Sequence, residues 1–165
     1  MHTLIRKCTE VDLETIFEVI NEAAIAYRGV IPDDCCGDPY MPMQELRKEM
    51  DEMTFFGYEQ NGRILGVAGY QPIKDVSLVR HVYVLPEKQR AGVGTKLLNY
   101  IMSMATGKRL LVGTWADASW AIRFYERHGF TMQANMDELL REYWNISERQ
   151  VETSVVLGVD LPQQS

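Results

Sequence analysis

The sequence predicts a single mixed α/β domain, and three observations carry that expectation. Apolar runs of strand composition alternate with segments whose apolar residues recur at helical spacing. Asn61-Gly62 separates two of the strand runs, which is a strong hairpin signal. An apolar strand ending at Pro86 leads through a polar turn into Gly92-Val93-Gly94, where a helix opens. With 165 residues and 46% apolar composition, the chain is long enough to bury a substantial core as one domain, residues 1–165.

Leu4 to Lys7 reads as a short first strand. Thr9-Glu10-Val11-Asp12 has the form of a capping box, and Leu13, Ile16, Phe17, Ile20 and Ala24 then follow helical spacing. Five glycines and prolines between 28 and 42 make that stretch loop-rich. Met43, Leu46, Met50 and Met53 trace the face of a second helix. Strands are expected over 54–59, 64–70 and 77–84, and a third helix carries Leu97, Leu98, Ile101 and Ala105 on one face. Arg109 to Trp115 is an apolar strand, and Ala118 to His128 a fourth helix ended by Gly129. Phe130 to Met136 and Glu152 to Leu157 supply the last strands. The segment between them, about fifteen residues rich in apolar and charged side chains, is longer than a hairpin needs. It reads either as a helical excursion capping the sheet or, through Tyr143 and Trp144, as a wall of a pocket.

Composition narrows the function. The net charge of −6 and the absence of a basic block disfavour nucleic acid as the main partner. No apolar run approaches the eighteen or so residues of a membrane span, and the N-terminus lacks the apolar region of a secretion signal. Cys8, Cys35 and Cys36 form no Cys-x-x-Cys pair, so free thiols and a cytoplasmic location are expected. His2, His81 and His128 are too scattered for a zinc site, so no metal is expected.

The turn at 86–95 carries the chemistry. The first amides of a helix lack intrahelical partners, and the helix dipole places positive potential among them. Glycines at 92 and 94 let a bulky anion approach the backbone, which suits a phosphate or pyrophosphate. A dinucleotide fingerprint would need a third glycine where Lys96-Leu97 stands, and a P-loop would need Lys before Thr.

Pro86-x-x-Gln89-Arg90-Ala91-Gly92-Val93-Gly94 resembles the acyl-CoA signature of the GCN5-related N-acetyltransferases (GNAT). Ala121-Ile122-Arg123-Phe124-Tyr125-Glu126-Arg127-His128-Gly129-Phe130 is similar to that family's second conserved helix. The resemblance implies a mostly antiparallel twisted sheet flanked by helices, and acetyl-CoA as co-substrate. Gln89, Arg90, Ala91, Gly92, Val93, Gly94 and Thr95 would hold the pyrophosphate. Val82, Tyr83 and Val84 would pair with the pantetheine arm like an added strand. Tyr125 would set its hydroxyl near the sulfur. The family's frequent glutamate is missing from Ser77 to Val82, which leaves His81, or a water relay to Asp75, Glu59 or an acid of the 33–38 loop, as the base. Ala118 stands where the family commonly has an asparagine, so a neighbour such as Asp117 or Ser119 would have to replace that contact. Asp33, Asp34 and Asp38 lie where the family borders its acceptor.

The implied activity is transfer of the acetyl group to a primary amine of a small molecule or peptide. The alternative is a catalytically silent acyl-CoA-binding domain. A homodimer stays open, and neither a membrane nor nucleic acid is an expected partner.

Overall fold

A computed structural model describes residues 2–89 and 91–162. Seven strands form a mostly antiparallel sheet in the order β1-β2-β3-β4-β5-β7-β6, and helices flank it, so the expected α/β (α+β) class holds. The chain divides into two compact units, each described by itself. One comprises Met1–Ala26, Gly37–Gln71 and Val79–Ala105; the other comprises Tyr27–Cys36, Pro72–Leu78 and Thr106–Ser165.

In the first unit β1 (Thr3–Lys7) pairs antiparallel with β2 (Thr54–Gln60), and β2 with β3 (Arg63–Ile73). The β2–β3 hairpin turns through Asn61 and Gly62, at φ of 51° and 81°. Two successive left-handed residues are what a two-residue type I′ turn demands, and Asn and Gly adopt them most readily. α1 (Leu13–Ala24) is preceded by Asp12, whose carboxylate accepts from the Thr9 amide at 2.8 Å and from both outer nitrogens of Arg6 at 2.9 Å. Its buried stripe runs through Leu13, Ile16, Val19, Ile20 and Ala23, with Phe17 only half-buried.

α2 (Met43–Glu52) buries part of the expected face, with Leu46 and Met53 buried and Met43 half-buried, and adds an acid to it. Leu46 and Glu49 are its buried residues, whereas Met50 is half-buried. β4 (Val76–Val84) leads through a short 3-10 turn into α3 (Val93–Met104), which buries Val93, Leu97, Leu98 and Ile101. α3 lies so close to β3 that a Cβ at Gly66 would sit 2.8 Å from Val93 Cγ1. Glycine is needed there for space.

In the second unit β5 (Arg109–Trp115) pairs antiparallel with β7 (Ser154–Asp160) along its full length. α4 (Ser119–Arg127) ends at Gly129, which takes the expected left-handed conformation at φ 90°. β6 is shorter than the sequence suggests: only Thr131 and Met132 form strand, because Asn135 turns left-handed at φ 56° and opens α5 (Met136–Tyr143). Ser147 then caps α6 (Glu148–Glu152), accepting from the Gln150 amide at 3.2 Å.

α5 and α6 cover the sheet of this unit. Leu140, Tyr143 and Val151 pack with Val76, Leu78, Leu111 and Val156. The Tyr143 hydroxyl donates to Asp75 at 2.6 Å, and Trp144 lies on the face of Gly113. The long excursion is therefore a cap on this unit's core, and its two aromatics serve packing.

Candidate active site

The turn after β4 has the features of an anion cradle. Gly92 sits at φ 78°, left-handed, immediately before the first residue of α3. The Lys96 amide closes the first helical bond, to the Gly92 carbonyl at 3.0 Å. Val93, Gly94 and Thr95 form the first turn of α3, where helix amides as a rule lack intrahelical partners. A Cβ at Gly92 would meet nothing within 4 Å, so the space beside the turn is open. The Gln89 side chain donates to the Val84 carbonyl at 3.2 Å, tying the turn to the end of β4. Of the residues expected to bind pyrophosphate, Ala91 joins the same turn, whereas Arg90 lies outside the described residues. Val82, Tyr83 and Val84 form the last part of β4, with Val82 and Tyr83 half-buried.

His81 stands in β4 two residues before Tyr83 with φ of 56°. A left-handed backbone at a non-glycine residue inside a strand costs on the order of 1–3 kcal/mol and concentrates at functional sites. Its imidazole stacks with two rings, Phe55 at 6.1 Å and Tyr83 at 6.3 Å. Nε2 of His81 pairs with Oε2 of Glu49, and both atoms are shut off from solvent. Glu49 Oε1 accepts from Arg80 at 3.3 Å, and Arg80 also donates to Gln71 at 3.3 Å. Burial raises the Glu49 carboxyl, but the His81 hydrogen bond and the His81, Arg80 and Lys48 charges outweigh it, so it lies below the usual range. Glu49 is ionised at neutral pH.

Sequence reasoning missed Glu49. Its signal was an acid set inside the apolar stripe of α2, three residues after Leu46 and four before Met53. Three of the acids expected for a water relay have partners of their own. Glu59 pairs with Arg6 at 3.3 Å, Asp75 takes the Tyr143 hydroxyl, and Asp34 of the 33–38 loop is bound by Arg149 at 2.8 Å.

Tyr125, in the second unit, is buried on α4. Its ring meets Phe124 at 5.1 Å and Phe130 at 5.6 Å, both edge to face. Burial first, and the Tyr27 hydroxyl second, push its phenol well above the ordinary tyrosine value of 10.0. The hydroxyl therefore keeps its proton at any physiological pH. Ala118, one residue before α4, is fully buried. Among the described residues no group of three or more His, Cys, Asp or Glu side chains could hold a metal ion. Nor is any helix among them long and apolar enough to cross a membrane.

Comparison with known proteins defines the class. Residues 51–132, which run from the end of α2 through β6, match the acetyltransferase (GNAT) domain, and the chain belongs to the GNAT acetyltransferase family. The architecture agrees across its length with solved relatives. The ribosomal-protein-S18-alanine N-acetyltransferase of Escherichia coli shares 17% identity at a TM-score of 0.73, covering 99% of this chain and 97% of that one. The PaiA N-acetyltransferase of Thermoplasma acidophilum, solved with coenzyme A, shares 19% at 0.72, covering 97% and 99%. YncA of Salmonella typhimurium, solved with its cofactor acetyl-CoA, shares 20% at 0.68, covering 99% and 96%.

Proposed function

We propose that the chain is a single N-acetyltransferase domain, residues 1–165, that moves the acetyl group of acetyl-CoA directly onto a primary amine of a small molecule or peptide. The observation that carries this reading is the opening of α3, with left-handed Gly92 and open space beside it, at the turn that follows β4. In this reading Gln89 to Thr95, Arg90 included, hold the pyrophosphate, and the backbone of Val82, Tyr83 and Val84 receives the pantetheine arm. That two solved relatives carry coenzyme A or acetyl-CoA supports the choice of ligand. The free thiols of Cys8, Cys35 and Cys36 suit a cytoplasmic setting.

The chemistry follows from two protons. An alkylamine with a pKa near 10.4 is neutral in only about one molecule in a few thousand at pH 7, a handicap of roughly 4–5 kcal/mol. His81 accepts that proton. The freed nitrogen pair attacks the thioester carbonyl carbon, the C–N bond forms, the C–S bond breaks with its electron pair leaving on sulfur, and the acylated nitrogen sheds its second proton to solvent. Tyr125 assists by donating a hydrogen bond to that sulfur. Full proton transfer from Tyr125 would run uphill, because the thiol formed has a pKa of only about 8.5. The thiolate leaves as the anion.

Release of coenzyme A thiol is to be measured with acetyl-CoA and a panel of cationic small amines and N-terminal peptides. Turnover with at least one class is the expected result. Tight acetyl-CoA binding with no turnover on any amine would overturn the reading in favour of a silent acyl-CoA-binding domain.

A further inference from the structure

We infer that Glu49 is a positioning residue for acetyl transfer: it holds the His81 proton on Nε2 and so presents Nδ1 as the atom that takes the proton from the acceptor amine. The inference rests on the proposed acetyltransferase reading and adds a residue from α2, outside both sequence motifs.

The geometry assigns the two carboxylate oxygens different donors. Oε1 faces the Arg80 guanidinium at 3.3 Å, and Oε2 faces Nε2 of His81. An ionised carboxylate can only accept, so the nitrogen facing it carries a hydrogen. A neutral imidazole has one N–H, and with Nε2 occupied the lone pair lies on Nδ1. The pair is shielded: Glu49, Arg80 and His81 side chains are 11%, 14% and 15% exposed. The ring lies nearly parallel to those of Phe55 and Tyr83, and the left-handed backbone at residue 81 sets where the ring leaves the strand. A buried carboxylate that fixes tautomer and ring orientation is the part played by the acid of a catalytic triad.

Arg80 makes the arrangement sensitive to one atom. Glu49→Gln leaves a single acceptor oxygen between two donors. The guanidinium, a charged donor, has the stronger claim on it. The amide NH2 then faces Nε2, which must become the acceptor, and the proton moves to Nδ1. The imidazole stays in place with its lone pair turned away from the amine.

The test has one readout without catalysis and one with it. Nitrogen-15 NMR of the wild-type protein at a pH where His81 is neutral should show Nε2 protonated and Nδ1 bare, and Glu49→Gln should exchange the two. A wild-type ring protonated on Nδ1 would overturn the inference even if no variant folds. With an amine that the wild type acetylates, Glu49→Gln should lower kcat/KM about 10²- to 10⁴-fold, the range of a lost general base, with acetyl-CoA affinity unchanged. His81→Gln should cost a similar factor, and the double variant no more than either alone. Losses that multiply, or a Glu49→Gln enzyme with the wild-type rate, would overturn the inference. Those outcomes leave acetyl transfer by the wild type standing, whereas a wild type inactive on every amine removes the function itself.

Discussion

Tyr125→Phe deletes one oxygen and leaves a ring already packed edge to face between Phe124 and Phe130. The fold and acetyl-CoA affinity should be little changed. Turnover should fall about ten- to a hundredfold, the worth of a hydrogen bond to a charged group. Because burial keeps the phenol protonated, Tyr125 should add no alkaline limb to the rate below about pH 10. Single-turnover rates, which isolate chemistry from product release, check both statements; an unaltered rate returns Tyr125 to the core. At Gly92 two effects can be separated. Gly92→Ala meets no steric neighbour but strains a left-handed backbone, costing on the order of 1–2 kcal/mol, with acetyl-CoA binding retained. Gly92→Glu adds a like charge to the anion site and should abolish binding, which calorimetry on the folded variants would register.

At the level of elements, the contact between α3 and β3 fixes where the anion turn points. Gly66→Ala would bring a methyl to 2.8 Å from Val93 Cγ1 and 3.3 Å from Leu97 Cδ1. Overpacking of this kind costs about 1–3 kcal/mol. Since Val93 is the first residue of α3, the displaced helix should also bind acetyl-CoA more weakly, visible as a lowered Tm together with a raised dissociation constant. The hairpin at Asn61-Gly62, strand β5 and the glycine-marked ends of α3 and α4 were legible in the sequence because each signal is local. β6 was overread, since nothing in the residues announced the left-handed Asn135 that ends it. The Glu49–His81 pair was not legible. It joins α2 to β4, and only tertiary structure brings an acid inside an apolar stripe to a histidine with no glycine beside it to mark its backbone.

For the whole molecule, titration sets a window of stability. Asp12 is held below the usual carboxylate range by the Arg6 hydrogen bonds, Asp34 by Arg149, and Glu148 by Arg141. Asp75 is lowered by the Tyr143 hydroxyl. Lowered carboxyls stabilise the fold above their unfolded pKa, near 4, and that contribution is lost as pH falls through the folded values. On the alkaline side the signs reverse. Burial pushes the Cys8 thiol from 9.0 up to about 12, and the Asp75 hydrogen bond pushes the Tyr143 phenol up to about 12. Both stabilise below their unfolded pKa and lose that contribution as pH rises towards 12. A Tm–pH curve should therefore be flat around neutrality, fall below about pH 4 and fall again above about pH 9. Cys8→Ala should remove the part of the alkaline decline that begins first, leaving the tyrosine part from about pH 10.

The left-handed backbone at His81 divides the demands placed on a single codon. Folding asks for a residue that tolerates φ near +56°, which penalises valine, isoleucine and threonine, and for a donor towards the buried Glu49 carboxylate, which favours asparagine over aspartate and glycine. Chemistry asks for an imidazole. A saturation library at this position, selected for soluble expression, should enrich asparagine alongside histidine. The same library selected for acetyl transfer should collapse to histidine. The gap between those two enrichment profiles would record how far this position is held by chemistry beyond what folding requires.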